Sequence, residues 1–171
     1  EIRDYAAMGD AQTLDIQNVL VTIPAPQAQG AVLVMAHYDS VKFGPGASDD
    51  LISVTALMET LRTLDTTGMQ NDLYVLFTDG EEQGLLGAAC FVDSHPELKD
   101  RLSLVVNVES RGQRGALLMF ETTANNQAMI DLYQQGVPVP VSFSIATSVY
   151  QMMQNDTDLS EFMLAGYAGL N

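Results

Sequence analysis

Three clusters in this chain hold residue types that suit a divalent metal: His37-Tyr38-Asp39-Ser40, Ala47-Ser48-Asp49-Asp50 and Asp79-Gly80-Glu81-Glu82. A histidine can give one ring nitrogen to a metal when its other ring N–H is held, and Asp39, two residues on, could hold it. The plainer alternative is a strand-end histidine bonded to backbone. Asp49 and Asp50 stand where a helix would open, so either could be a cap. Gly44, Pro45 and Gly46 let that loop turn back, which gives Asp49 a sharper reading as a carboxylate between two metals. Glu81 and Glu82 point in different directions, so one could ligate while the other takes a proton from water; charge complementarity at a helix start is the alternative. Glu109, in Val106-Asn107-Val108-Glu109-Ser110, is a further candidate ligand or simply a solvated strand end. Without a cation, so many carboxylates in one cleft would repel and some would stay protonated. A histidine among the donors favours zinc over calcium.

The elements that must position these groups read as alternating strands and helices. Residues 18–23 alternate and are β-branched, a strand ended by Pro24 and Pro26. Residues 31–36 form a continuous apolar run suited to a strand buried on both faces. It leads into the His37 cluster, as the strand-like run 73–78 leads into the Glu81 cluster. Leu51, Val54, Leu57, Met58, Leu61 and Leu64 recur at helical spacing, predicting a helix from near Asp49 or Asp50 to the Thr66-Thr67-Gly68 stop. A second helix is expected over 83–94, closed by His95-Pro96, with a short helical turn over 96–101. Strands are expected over 102–108 and 116–121, helices over 125–135 and 158–164. An edge strand or loop is expected over 137–145, where two prolines stand. Residues 165–170 read as a connection into a further strand that is absent. The pattern predicts one α/β domain over 1–171 with a mixed sheet, whose chemistry gathers beyond the carboxyl ends of the strands.

Composition narrows the partners. The 171 residues suffice for one domain with a real core, and 47% are hydrophobic. Seven basic against 22 acidic residues give a net charge of -15. That balance excludes the basic footprint that nucleic acid requires and disfavours anionic membranes. No apolar run is long enough to cross a bilayer. A first residue of Glu1 rather than Met reads as a processed or excised piece. Cys90, the only cysteine, sits on a small-residue helical face and reads as a buried structural thiol. Tyr150, Tyr167, Met152, Met153 and Met163 read as core or pocket lining.

His37-Tyr38-Asp39-Ser40, Gly44-Pro45-Gly46-Ala47-Ser48-Asp49-Asp50, Met58-Glu59 and Glu81-Glu82-Gln83-Gly84-Leu85-Leu86-Gly87 together resemble the M28 family of zinc aminopeptidases in order and spacing. Val106-Asn107-Val108-Glu109 and Asn155-Asp156-Thr157-Asp158 are most similar to its endoplasmic-reticulum metallopeptidase and vacuolar-membrane branch. The resemblance runs from about Asn18 to Asn171. It implies a three-layer, phosphorylase/hydrolase-like αβα sandwich with a mixed, mostly parallel sheet. It implies that His37 and Glu109 bind one zinc, that Glu82 binds another, and that Asp49 bridges the pair. Glu81 would be the general base and Asp39 the partner of His37. The substrate would be a peptide, cleaved at its N-terminal bond, and the location lumenal or extracytoplasmic, membrane-tethered in the parent protein. The family's last ligand is a histidine near the C-terminus, and no residue here matches it; His95 resembles a His-Pro that is not a ligand. The chain therefore reads as truncated before that ligand, with the set His37, Asp49 and Glu109 complete and the Glu82 site short of one donor. At Leu51-Ile52-Ser53 the family often has glycine, a departure expected to alter helix packing alone. Two other readings stand beside the peptidase: an inactive binding or structural module, and zinc-dependent acyl chemistry of the glutaminyl-cyclase kind.

Overall fold

In the computed structural model, the described backbone covers residues 2–7, 10–110, 114–153 and 155–171. Strands β1 (Ile2–Ala7) and β2 (Asp10–Asp15) form an antiparallel hairpin, an element absent from the sequence reading. The main sheet is built from β3 (Val19–Ile23), β4 (Ala31–His37), β5 (Asp72–Thr78), β6 (Leu102–Asn107) and β7 (Gly169–Leu170). Its order is β3-β5-β4-β6-β7, with β3 antiparallel to β5 and every other pairing parallel. Helix α1 (Leu51–Thr63) crosses from β4 toward β5, and α2 (Leu86–Ser94) crosses from β5 toward β6. After β6 come α3 (Gln127–Gly136), α4 (Ser144–Met152) and α5 (Asp158–Leu164).

Side chains alternate between two layers, as a strand period of two requires. Ala31, Leu33 and Met35 of β4 join Tyr74 and Leu76 of β5 beneath Ala88, Phe91, Leu159 and Phe162 of α2 and α5. The opposite parity, Ala36, Val75 and Phe77 with Val34, packs on Leu57 of α1. Met129 of α3 covers Leu170 together with Met119, Leu104 and Val106. The central strands are therefore buried on both faces, and their carboxyl ends meet at one edge.

Four expectations need correction. No strand forms over 116–121. Met119 makes a single bridge to Ser142, and Thr122, just past the run, a single bridge to Leu170 of the two-residue β7, which offers no longer ladder. Residues 137–145 do not form an edge strand: Ser142 makes one bridge and helix α4 begins at Ser144. The second helix starts at Leu86, not Gln83, because Gly84 and Leu85 take left-handed φ values of 106° and 60° and break it. Residues 165–170, expected as a connection, themselves end in a strand: Gly169–Leu170 form β7, parallel to β6.

Candidate metal centre

The site grows from the carboxyl ends of the three parallel strands β4, β5 and β6. His37 is the last residue of β4 and is 2% exposed. Asp39 follows in the loop. The Gly-Pro-Gly turn, with Gly46 at a φ of 65°, brings Asp49 and Asp50 back over the strand ends, and the peptide bond between them is cis. Glu81 and Glu82 lie in the turn after β5, and Glu109 lies two residues past β6.

These groups converge. His37 Nε2 lies 3.1 Å from Asp49 Oδ1 and 3.8 Å from Glu109 Oε1. Donors tetrahedrally arranged around one zinc at its usual bond length lie about 3.3 Å apart, so this spacing suits a shared ion. His37, Asp49 and Glu109 each offer an atom within 4.8 Å of the others, and so do His37, Glu81 and Glu82. His37 Nδ1 donates to the Asp39 carbonyl oxygen at 3.1 Å, with the Asp39 carboxylate at 3.5 Å. A carbonyl only accepts, so Nδ1 carries the proton and Nε2 is the nitrogen turned to the carboxylates. The Asp39 carboxylate accepts the backbone N–H groups of Glu81 (3.0 Å) and Glu82 (3.2 Å). Thus Asp39 ties the β4 loop to the β5 loop as well as facing the imidazole.

The electrostatics are those of a cluster built for a cation. Burial alone would lower the His37 pKa, but its bonds to Asp39 and Glu109, and the negative charge of Glu109 and Glu81, lift it to about 12. Burial, then the charge of Glu109, pushes Glu81 up to about 8. Asp50 rises to about 7 through burial, although Ser53 Oγ donates to its Oδ1. Burial also raises Glu82, with Asp49 adding to it. Asp39 goes the other way: its burial is outweighed by His37 and the two backbone N–H groups. With no metal, the imidazole itself serves as the counter-ion of the carboxylates.

Two alternatives from the sequence can now be weighed. The first turn of α2 contains no acidic residue, so helix-start complementarity does not account for Glu81 and Glu82. Asp50 holds the N-cap position of α1 but caps no backbone N–H with its side chain; it bonds Ser53 instead, so Ser53 does more than adjust packing. His95 caps the far end of α2, bonds Glu97 and stacks on Phe91, away from these donors in role. Cys90 is buried. Tyr167 packs on Phe162, Tyr150 on Phe120, and Met163 against the core. Met152 is 86% exposed and so is not part of the core.

Sequence reasoning overlooked the polar groups beneath the site. Thr78 Oγ1 donates to Asp158 Oδ2, while Asp158 Oδ1 is buried with no partner among the described residues. Burial raises Asp158 to about 7, with the Thr78 bond opposing. Asn107 donates to Asn171 Oδ1 at 3.3 Å and reaches Glu109 at 3.5 Å, and Asn171 donates to Thr157 at 2.8 Å. The sequence marks Asp158 only as part of the motif Asn155-Asp156-Thr157-Asp158 and assigns it no role, because its contact with Thr78 spans 80 positions.

The description Peptidase family M28 matches residues 18–171. The chain belongs to peptidase family M28. Over 149 residues it is 34% identical to "Endoplasmic reticulum metallopeptidase 1" of Homo sapiens, covering 84% of this chain and 16% of that protein. Over 134 residues it is 35% identical to a "Vacuolar membrane protease" of Verticillium alfalfae, covering 76% of this chain and 13% of that protein. The M28 chain thus spans about a sixth of the human relative's length. Among solved structures, "a zinc aminopeptidase from Bacillus subtilis" aligns with a TM-score of 0.69 at 23% identity, over 93% of this chain and 40% of that one; this likeness shows the fold. No helix among the described residues is long and apolar enough to cross a membrane.

Proposed function

We propose that this M28 chain is a zinc-dependent metallopeptidase domain that hydrolyses the N-terminal bond of peptides. The observation that carries the reading is the convergence of one buried imidazole and several carboxylates around His37 Nε2, beside a buried Glu81 whose proton is held near neutrality. His37, Asp49 and Glu109 would hold one zinc. Glu82 would hold a second, with Asp49 between the two. When bound, zinc supplies Lewis-acid polarisation of the scissile carbonyl and makes water acidic enough to attack near neutral pH.

The chain's own residues do the rest. Glu81 takes the proton from the attacking water and returns it to the leaving amine. Nearby positive charge draws its pKa back down, which suits a base at neutral pH. Asp39, through its carbonyl, keeps the proton on Nδ1 of His37, and through its carboxylate fixes the Glu81-Glu82 turn. The carboxylates left over attract the free ammonium of the substrate. We place the whole chain in one domain, and its active location in a lumen; the relatives' names, of the endoplasmic reticulum and the vacuolar membrane, are consistent with that placement.

The test pairs turnover with metal content. Glu81→Gln should lower kcat on aminoacyl substrates about 10²- to 10⁴-fold while leaving bound zinc unchanged. His37→Ala should remove the zinc itself. An equally fast Glu81→Gln chain would sink the reading. Elemental analysis after zinc loading and buffer exchange should find one tightly held zinc in these 171 residues, the His37 site, because their other histidine, His95, caps the far end of α2.

A further inference from the structure

A cavity of about 630 Å³ opens beside the metal centre. Glu109 forms one part of its wall. The remainder is largely apolar, from Ile52 and Ala56 of α1 to Val149 of α4 and Met153 just past its end, with Leu118 between. Among the described residues that line it, Arg114 is the only charged one apart from Glu109. The setting of Arg114 is unusual for this chain. Acidic residues outnumber basic ones 22 to 7, so a cation finds partners easily. Arg62 pairs with Glu59 and Arg101 with Asp72; Lys99 bonds the Ala165 carbonyl and lies over Tyr167, and Lys42 lies over Phe43. Among the described side chains, Arg114 is the cation with no such partner. It stays exposed at a cavity whose wall also holds Glu109 of the site.

A short peptide with free ends is itself a dipole, with an ammonium at one end and a carboxylate at the other. The acidic centre and Arg114 offer the complementary pair, with apolar wall between for a side chain. Guanidinium groups suit carboxylates because their donors match both oxygens. We propose that Arg114 is a specificity-determining residue that binds a carboxylate of the substrate, at its C-terminus or on an acidic side chain. The proposal rests on the peptidase reading for the orientation of the peptide.

The test reads binding and turnover separately. Calorimetry on the Glu81→Gln chain, loaded with zinc, compares leucyl-leucine, its C-terminal amide and leucyl-glutamate with an amidated C-terminus. Arg114→Ala should lower affinity for one carboxylate-bearing probe at least tenfold relative to the neutral amide, and which probe responds identifies the source of the carboxylate. Arg114→Lys should keep part of the preference. In the chain with Glu81 intact, the ratio of kcat/KM values for the same probes should fall by a similar factor. A preference unmoved by Arg114→Ala overturns the proposal, and so does failure of all three probes to bind. Cleavage of the neutral amide that is lost with Glu81→Gln upholds the peptidase reading by itself. Arg114-dependent binding without any cleavage would sink that reading and leave this one standing.

Discussion

Asp39 uses two groups for two tasks: its carbonyl accepts from His37 Nδ1, and its carboxylate accepts from the backbone of Glu81 and Glu82. In sequence it was legible only as a partner for the imidazole. Its second task joins residues 42 and 43 positions apart, which no local spacing reveals. Asp39→Asn separates the two. The carbonyl remains, but an amide oxygen replaces one carboxylate oxygen and its NH2 group cannot accept. One of the two backbone N–H groups then loses its acceptor. Zinc affinity should fall about 10- to 100-fold, as for other residues that orient ligands. Titration against a competing chelator measures it, and an unchanged affinity would show that the turn holds its shape unaided.

At the scale of elements, the close seating of α2 on the end of β5 positions the Glu81-Glu82 turn. Asn18 clamps the seat: its Nδ2 donates to the Gly87 carbonyl at 2.8 Å, and its Oδ1 accepts from the Asp79 N–H at 3.1 Å. A Cβ on Gly87 would meet the Asp79 carbonyl oxygen at 2.4 Å and Asn18 Oδ1 at 2.5 Å. Gly87→Ala should therefore cost about 1–3 kcal/mol, as overpacking against backbone does. Denaturant midpoints at constant m-value measure it; a midpoint equal to the parent's would mean the helix shifts freely. The central strands were legible because runs such as Ala31 to Ala36 are apolar throughout, as burial on both faces demands. Helix α4 was not. Ile145, Thr147 and Val149 are β-branched and two residues apart, which imitates a strand. The apolar spacing Ile145, Val149, Met152 was the helical signal available in the same residues. The short β7 was missed because two residues make no pattern.

For the whole molecule, the acidic site sets the pH response. The raised carboxyl groups Glu81, Asp50 and Asp158 keep protons when folded that the unfolded chain releases above its ordinary carboxyl pKa, so rising pH favours unfolding up to about 8. His37 adds the same slope: its stabilisation is full below about 6.5 and is lost as pH climbs toward 12. The chelator-treated chain should lose Tm steadily between about pH 5 and 8. Zinc needs deprotonated donors, so the Tm gained on adding it should widen over the same range. Thermal scans with chelator and with zinc check both; a chelated Tm that rises with pH would contradict them. The Asp39 carboxylate has a kinetic consequence as well. It binds the two loops together before any ion arrives, so the entropy of ordering them is lost on folding, not on metal capture. Zinc uptake should then follow a single exponential whose rate grows in proportion to zinc concentration. Asp39→Asn should introduce a slower phase that zinc concentration does not accelerate.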